Sequence, residues 1–299
     1  MAIHYDTLKA WPFQDQVTPY TRKDCMLYAL SLGYGQDPLD AEELAFVAGN
    51  LGGNMHEGGL KTVPSLFTVL GAPGAWATDP GTGIDWMRIL HGEHRLTLHG
   101  TLPPEGVLRS RTRVARVVDK GEGRGALVIT VRDISDEASG QLLASIEHTS
   151  FCRANGGFST GADDNDAPPP ALPAVPGDTA PDITVTLPTE ASAALLYRLN
   201  GDWNPIHASP AAAKSVGFER PILHGLCTYG MATRAILRAC CGNQPDRLGS
   251  LALRFSAPFF PGETLSVDIW QRGTQIHFRA TAAERGQAVL THGLATLHG

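Results

Sequence analysis

Between positions 197 and 207 the chain reads YRLNGDWNPIH, which places Asp202, Asn204 and His207 close together behind a break at Gly201. A carboxylate and an imidazole held near one another can take a proton from one reacting atom and give one to another. Adding or removing water across an activated double bond requires this. The preceding run, Ala191 to Leu199, holds good helix formers and neither Gly nor Pro, so the three polar residues are expected where a helix has just ended. Asp-x-Asn-Pro is equally ordinary turn chemistry, because Asx side chains bond their own backbone and Pro205 fixes a torsion. On these residues alone both readings stand.

Downstream, Phe218 to Leu226 reads FERPILHGL, and from there to Leu237 the residues are apolar or small with one Arg. This pattern predicts a long buried helix opening at a His-Gly turn. The first N–H groups of such a helix have no partner within it and sit at its positive end, so they can hold negative charge developing on an oxygen. Gly225 is therefore the candidate oxyanion donor.

The two blocks YRLNGDWNPIHASP and GFERPILHGLCTYG resemble the signature of the MaoC-like, hydratase 2 family of (R)-specific 2-enoyl-CoA hydratases, which are hot-dog-fold enzymes. The resemblance implies catalytic roles for Asp202, Asn204 and His207 and an oxyanion amide at Gly225. One departure follows them, where Ala208 and Ser209 occupy a place often taken by an acidic residue before the proline. The implied reaction is reversible hydration of a trans-2-enoyl-CoA to the (R)-3-hydroxyacyl-CoA, with no cofactor beyond the thioester itself. A 3-hydroxyacyl-carrier-protein dehydratase of the same family, a thioesterase and a non-catalytic acyl-CoA-binding protein remain alternatives, and pathway and acyl length stay open.

Weaker candidates surround these residues. Arg198 and Arg254, with Gly201, are candidate coenzyme A contacts, since a guanidinium binds phosphate bidentately. His224 reads as a structural hydrogen-bonder at a helix start, outside the catalytic set. His207, His224 and a carboxylate match no HExxH or Cys/His spacing, so no metal is expected. His91, Gly92 and Glu93 read as an echo of the His224-Gly225 turn, a helix or strand junction without chemistry.

The elements that must position these residues fall into two similar halves. Residues 160–182 are rich in Pro, Asp, Ala and Gly and predict an extended surface linker between an N-terminal half, residues 1–159, and a C-terminal catalytic half, residues 183–299. LTLHGTLPPEGVL, starting at Leu96, lines up with LALRFSAPFFPGETL, starting at Leu251, and LYALSLGYGQDPLD, starting at Leu27, with LYRLNGDWNPIHAS, starting at Leu196. Only the second copy carries the Asp and His. The family resemblance implies that the first half instead encloses an acyl tail.

Alternating apolar and polar residues predict strands at 107–118, 126–134, 141–153, 248–256, 264–272, 275–283 and 288–297. Thr21 and Asp24 cap a helix over 21–32, expected to be the wrapped central helix of the first sheet. The expected fold is α+β, a double hot-dog with two antiparallel sheets each wrapping a long central helix.

Composition agrees with a packed enzyme. The chain has 299 residues, 42% of them apolar and 18% charged, enough for a substantial core. A net charge of −6 with scattered Lys and Arg offers no footprint for nucleic acid. Five cysteines without framework or CxxC spacing predict reduced thiols in the cytoplasm. No leader, no membrane-length apolar run and no SKL-type ending is read in the sequence. GxGxxG, Walker and GxSxG patterns are missing, which removes nucleotide-dependent and serine-hydrolase readings. The expected partners are an acyl-CoA and a second copy of the chain, with no membrane association.

Overall fold

The computed structural model describes residues 3–49, 59–177 and 179–298; one linker residue, 178, lies outside them. Its ten strands are β1 (Gln16–Tyr20), β2 (Ile89–Leu98), β3 (Gly106–Asp119), β4 (Ala126–Asp136), β5 (Leu142–Cys152), β6 (Ile183–Pro188), β7 (Leu248–Phe255), β8 (Thr264–Arg272), β9 (Gln275–Ala282) and β10 (Gln287–Leu297). The helices are α1 (Tyr5–Lys9), α2 (Arg22–Ser31), α3 (Ala41–Leu44), α4 (Ala193–Tyr197), α5 (Pro210–Ser215) and α6 (Gly225–Cys240). The seven strands predicted by alternation form within two residues of their expected ends. Three strands were not among those ranges: the edge strands β1 and β6, each of which has one neighbour, and the central strand β2.

The double hot-dog expectation holds, with two differences of detail. The strands form one antiparallel sheet in the order β1-β3-β4-β5-β2-β7-β10-β9-β8-β6, so the halves are joined edge to edge through β2 and β7. Leu96 and Leu251, the equivalent residues of the two sequence copies, sit directly opposite one another at that junction. An antiparallel pair that matches each copy's own equivalent has a local two-fold axis there, as a duplicated unit requires.

The second difference concerns the helices. Among the described residues only α6 is long, and it is buried on nearly every face, as a helix apolar all round must be. The capped helix α2 does form, with the Thr21 N–H and hydroxyl both donating to the Asp24 carboxylate at 2.8 and 2.6 Å. It is not the central helix of the first sheet. It lies against the C-terminal half, where the Tyr28 and Tyr197 rings meet and Asn200 donates to Ser31 Oγ at 3.1 Å. Gly230 of α6 permits this approach, since a Cβ there would come within 2.5 Å of Leu32. A fully buried 3-10 turn, Pro64–Thr68, packs instead into the core shared with β2, β4 and β5.

The Pro-rich stretch after β5 is extended and mostly exposed, yet fastened at several points. Asp166 accepts from Tyr5 and Lys9, and the Thr179 carbonyl accepts from the Trp270 indole. All five cysteines are buried and unpaired. Among the described residues no helix is long and apolar enough to cross a membrane.

Candidate active site

Helix α4 runs into a single 3-10 turn, Arg198–Asn200, and stops at Gly201, whose φ of 110° lies in the left-handed region that glycine adopts without strain. Asp202 Oδ1 then accepts from the Asn204 N–H at 3.1 Å, and Asn204 Oδ1 accepts from the Ile206 N–H at 3.2 Å. The turn chemistry read in the sequence is thus present and builds the loop. Each side chain keeps a second polar atom, Asp202 Oδ2 and Asn204 Nδ2, beyond those bonds. Pro205 opens a short 3-10 turn that carries His207 inward.

His207 is buried and donates its Nδ1–H to the Ile222 carbonyl at 2.9 Å. A carbonyl can only accept, so the neutral ring keeps its lone pair on Nε2. Burial holds the His207 pKa below its ordinary 6.5, opposed by the Ile222 hydrogen bond and the Asp202 charge. His224 stacks on this ring with centroids 3.7 Å apart and planes 25° apart, and donates Nε2–H to the main-chain oxygen of Asp202 at 3.2 Å. Burial, then the neighbouring His207, pushes its pKa down to about 4. One polar atom from each of Asp202, His207 and His224 lies within 4.8 Å of the other two. The sequence reading set His224 apart as structural; the fold brings it into the centre of the site.

Gly225 begins α6 directly after His224. The N–H groups of Cys227 and Thr228 turn back to the His224 carbonyl at 3.0 and 3.2 Å. The earlier N–H of Gly225 is one of the donors a helix start leaves without an intrahelical acceptor. A Cβ at Gly225 would stand 3.3 Å from the Phe255 ring and 3.7 Å from His91 Nδ1, so this helix start is pressed against the junction of β2 and β7. The arrangement sets a carboxylate and a lone-pair imidazole beside an amide donor at the positive end of a 16-residue helix.

The weaker candidates separate. Arg198 lies with its guanidinium 4.7 Å from the centre of the exposed Trp203 ring, at the rim of the loop. Arg254 is engaged by Glu93, which accepts from its Nε and Nη2 at 3.1 and 2.7 Å and also from Arg95 at 2.9 Å. Successive strand residues point to opposite faces, so Arg254 faces away from the site that its neighbour Phe255 lines. That placement does not put Arg254 with Asp202, Asn204 and His207, and its charge ties the two halves together.

His91 and Glu93 do not mark a turn between elements as His224 and Gly225 do. They lie within β2, where the pairing with β5 shifts between them and puts a bulge at Gly92. The bulge brings His91 and His94 to one face, with Nε2 of the first 3.3 Å from Nδ1 of the second, and His148 of β5 opposite His94. One ring nitrogen from each of the three lies within 4.8 Å of the others, a donor set of the kind a cation takes, as is the Asp202, His207 and His224 group. Burial first, then the charge of Arg132, holds His148 down to about 4. The Gly inside HGEH was the sequence signal for the bulge.

Residues 19–154 match the MFE-2 hydratase 2 N-terminal domain, and residues 172–293 match the MaoC like domain. The chain is 35% identical over 297 residues to the peroxisomal enoyl-CoA hydratase 2 of Arabidopsis thaliana, covering 95% of this chain and 93% of the plant protein. It is 36% identical over 279 residues to the peroxisomal multifunctional enzyme type 2 of Drosophila melanogaster, covering 91% of this chain but only 44% of that longer protein. The crystal structure of a MaoC-like dehydratase from Phytophthora capsici matches with a TM-score of 0.83 over 99% of both chains at 29% identity.

Proposed function

This chain belongs to the hydratase 2 family of MaoC-like proteins, and from that premise we propose that it adds water reversibly across trans-2-enoyl-CoA thioesters to give (R)-3-hydroxyacyl-CoA. The observation that carries the reading is the fixed tautomer of His207 beside Asp202, next to the first amide of α6. The thioester carbonyl rests on the Gly225 N–H, which stabilises the enolate-like charge as water adds at C3. His207 Nε2 takes the proton of that water while Asp202 orients it, and a proton is returned to C2 on the same face. The Asn204 amide holds the water or the carboxylate. The (R) configuration is taken from the family resemblance, and the reaction needs no cofactor beyond the thioester.

The same site run in reverse is a dehydratase, the activity named for the Phytophthora protein. The acyl tail is assigned to the N-terminal half, where the described residues hold no long helix under the sheet. A cavity of about 260 Å³ lies between the halves at the end of β2, lined by Phe67, Leu98 and Leu102 on one side and Pro245, Asp246 and Leu248 on the other. Arg198 at the rim is proposed for the coenzyme A phosphates. A homodimer and a cytoplasmic location complete the proposal, tested by sedimentation and by imaging of the tagged chain.

The deciding experiment mixes purified protein with crotonyl-CoA, then a long-chain 2-enoyl-CoA, and follows loss of the conjugated enoyl-thioester absorbance. Loss with wild type and not with Asp202→Asn supports hydration and the carboxylate's role. Persistence of the band with both substrates overturns the reading in favour of a carrier-protein dehydratase or an acyl-CoA binder.

A further inference from the structure

We propose that His224 is a positioning residue of this site, the one side chain among the described residues that meets the Asp202 main chain, the His207 ring and the start of α6 together. The inference rests on the reading of Asp202 and His207 as the reacting pair, and adds a residue outside that pair. The loop from Gly201 to Asn204 is exposed and opens on the left-handed Gly201, so its own Asx turns set its shape but not its place. The Ile222 bonds to Ile206 and His207 fasten the far end of the segment, and the bond that reaches Asp202 itself is the His224 Nε2–H on its carbonyl at 3.2 Å.

The anchor is itself rigid. The His224 carbonyl receives the N–H groups of Cys227 and Thr228, its side chain is 1% exposed, and its ring packs against both His207 at 3.7 Å and Tyr197 at 4.9 Å. Because Gly225 is the next residue, the same backbone that presents the oxyanion amide also carries the tether to the carboxylate loop. The spacing between proton transfer and charge stabilisation is therefore set across one peptide unit.

A purely space-filling role does not account for a polar ring here. Nδ1 of His224 is buried with no protein partner, a cost that an apolar ring of the same shape would avoid. The polar ring is retained for the donor on its other nitrogen. Misplacing reacting groups by about 1 Å costs on the order of 10²-fold in rate, so loss of the tether should appear in kcat more than in KM.

The test separates the donor from the ring. His224→Phe keeps a flat ring over His207 without the N–H; His224→Gln keeps an N–H donor at the distance of Nε2 without the stack. Hydrogen exchange is followed by mass spectrometry over residues 200–208, together with kcat, KM for crotonyl-CoA and the melting temperature. In His224→Phe we expect faster exchange in that peptide, a kcat lower by about 10- to 100-fold and a KM within about twofold. In His224→Gln, exchange stays at the wild-type level and most of the kcat is restored. Wild-type exchange in His224→Phe, or equal kcat losses in both variants with a matching fall in melting temperature, overturns the proposal. Should wild type itself leave crotonyl-CoA unchanged, the proposed function fails by itself, and the exchange comparison alone then decides whether His224 tethers the loop.

Discussion

His207 donates Nδ1–H to the Ile222 carbonyl over 2.9 Å, and this bond decides which nitrogen of the ring can accept a proton. It also ties the Asp202 loop to the segment leading into α6, where the Ile222 N–H in turn donates to the Ile206 carbonyl at 3.3 Å.

The pH dependence of turnover follows from that ring. His207 works as a base only when neutral, and burial holds its pKa below 6.5. The value of kcat/KM should therefore fall on the acid side through an apparent pKa below 6.5, with a slope of one proton. In Asp202→Asn the residual activity should show this limb at still lower pH, because the anion that favours the imidazolium is gone. A limb at or above 6.5 in wild type would contradict the assignment.

The oxyanion role proposed for Gly225 can be tested without unfolding the helix. Proline is well tolerated as the first residue of a helix, and His224 before it already has φ −58° and ψ 135°, which a following proline requires. Gly225→Pro removes the N–H and should lower kcat by about 10²- to 10³-fold while circular dichroism stays unchanged. The ring of Phe255, 3.3 Å from the added Cβ, has to give way slightly, and Phe255→Leu in the same background isolates that effect.

Stability should fall as the solution is acidified, and in a defined window. In the unfolded chain imidazoles protonate near 6.5, whereas in the fold His148 and His224 are held to about 4 and His91 and His94 lie well below 6.5. The unfolded state then binds more protons between these limits. The contribution of these residues is complete above 6.5, declines as pH drops and, for His148 and His224, is spent below about 4. We expect the melting temperature to drop by about 5 °C or more between pH 7.5 and 5. His148→Gln should flatten that slope, and a curve with no dependence over this range would contradict the buried-imidazole account.

Arg234 of α6 and Glu43 of α3 form a buried pair through bonds of 2.9 and 2.6 Å, with side chains 5% and 2% exposed. Removing one partner strands the other charge, so Glu43→Ala should cost about 3–5 kcal/mol in urea unfolding. The exposed pair of Arg113 and Asp133 is the control, and Asp133→Ala should cost no more than about 1 kcal/mol.

Much of the site was legible because its signals are local. The Asp-x-Asn-Pro-x-His pattern fixes its own turns, the His-Gly pair fixes the helix start, and strict alternation fixes seven strands almost to the residue. Three features were not legible. Arg254 has the residue type of a phosphate ligand, but its face of β7 and its pairing with Glu93 are set by neighbouring strands. His91 and His94 are three apart and would face opposite ways in a regular strand; only the bulge at Gly92 unites them. Helix α2 carries its cap in sequence, while the half it packs against depends on Gly230, far along the chain.

The sequence by itself determined which residues could carry proton transfer and oxyanion binding, and which segments would be strand or helix, because those properties reside in residue type and short-range periodicity. The tertiary structure decided that the two sheets become one through Leu96 opposite Leu251, and that His224 stacks on His207. It also decided that a single long helix serves the interior among the described residues. These are contacts between residues distant in the chain, fixed by which apolar faces can be buried together and which buried polar atoms then find a partner.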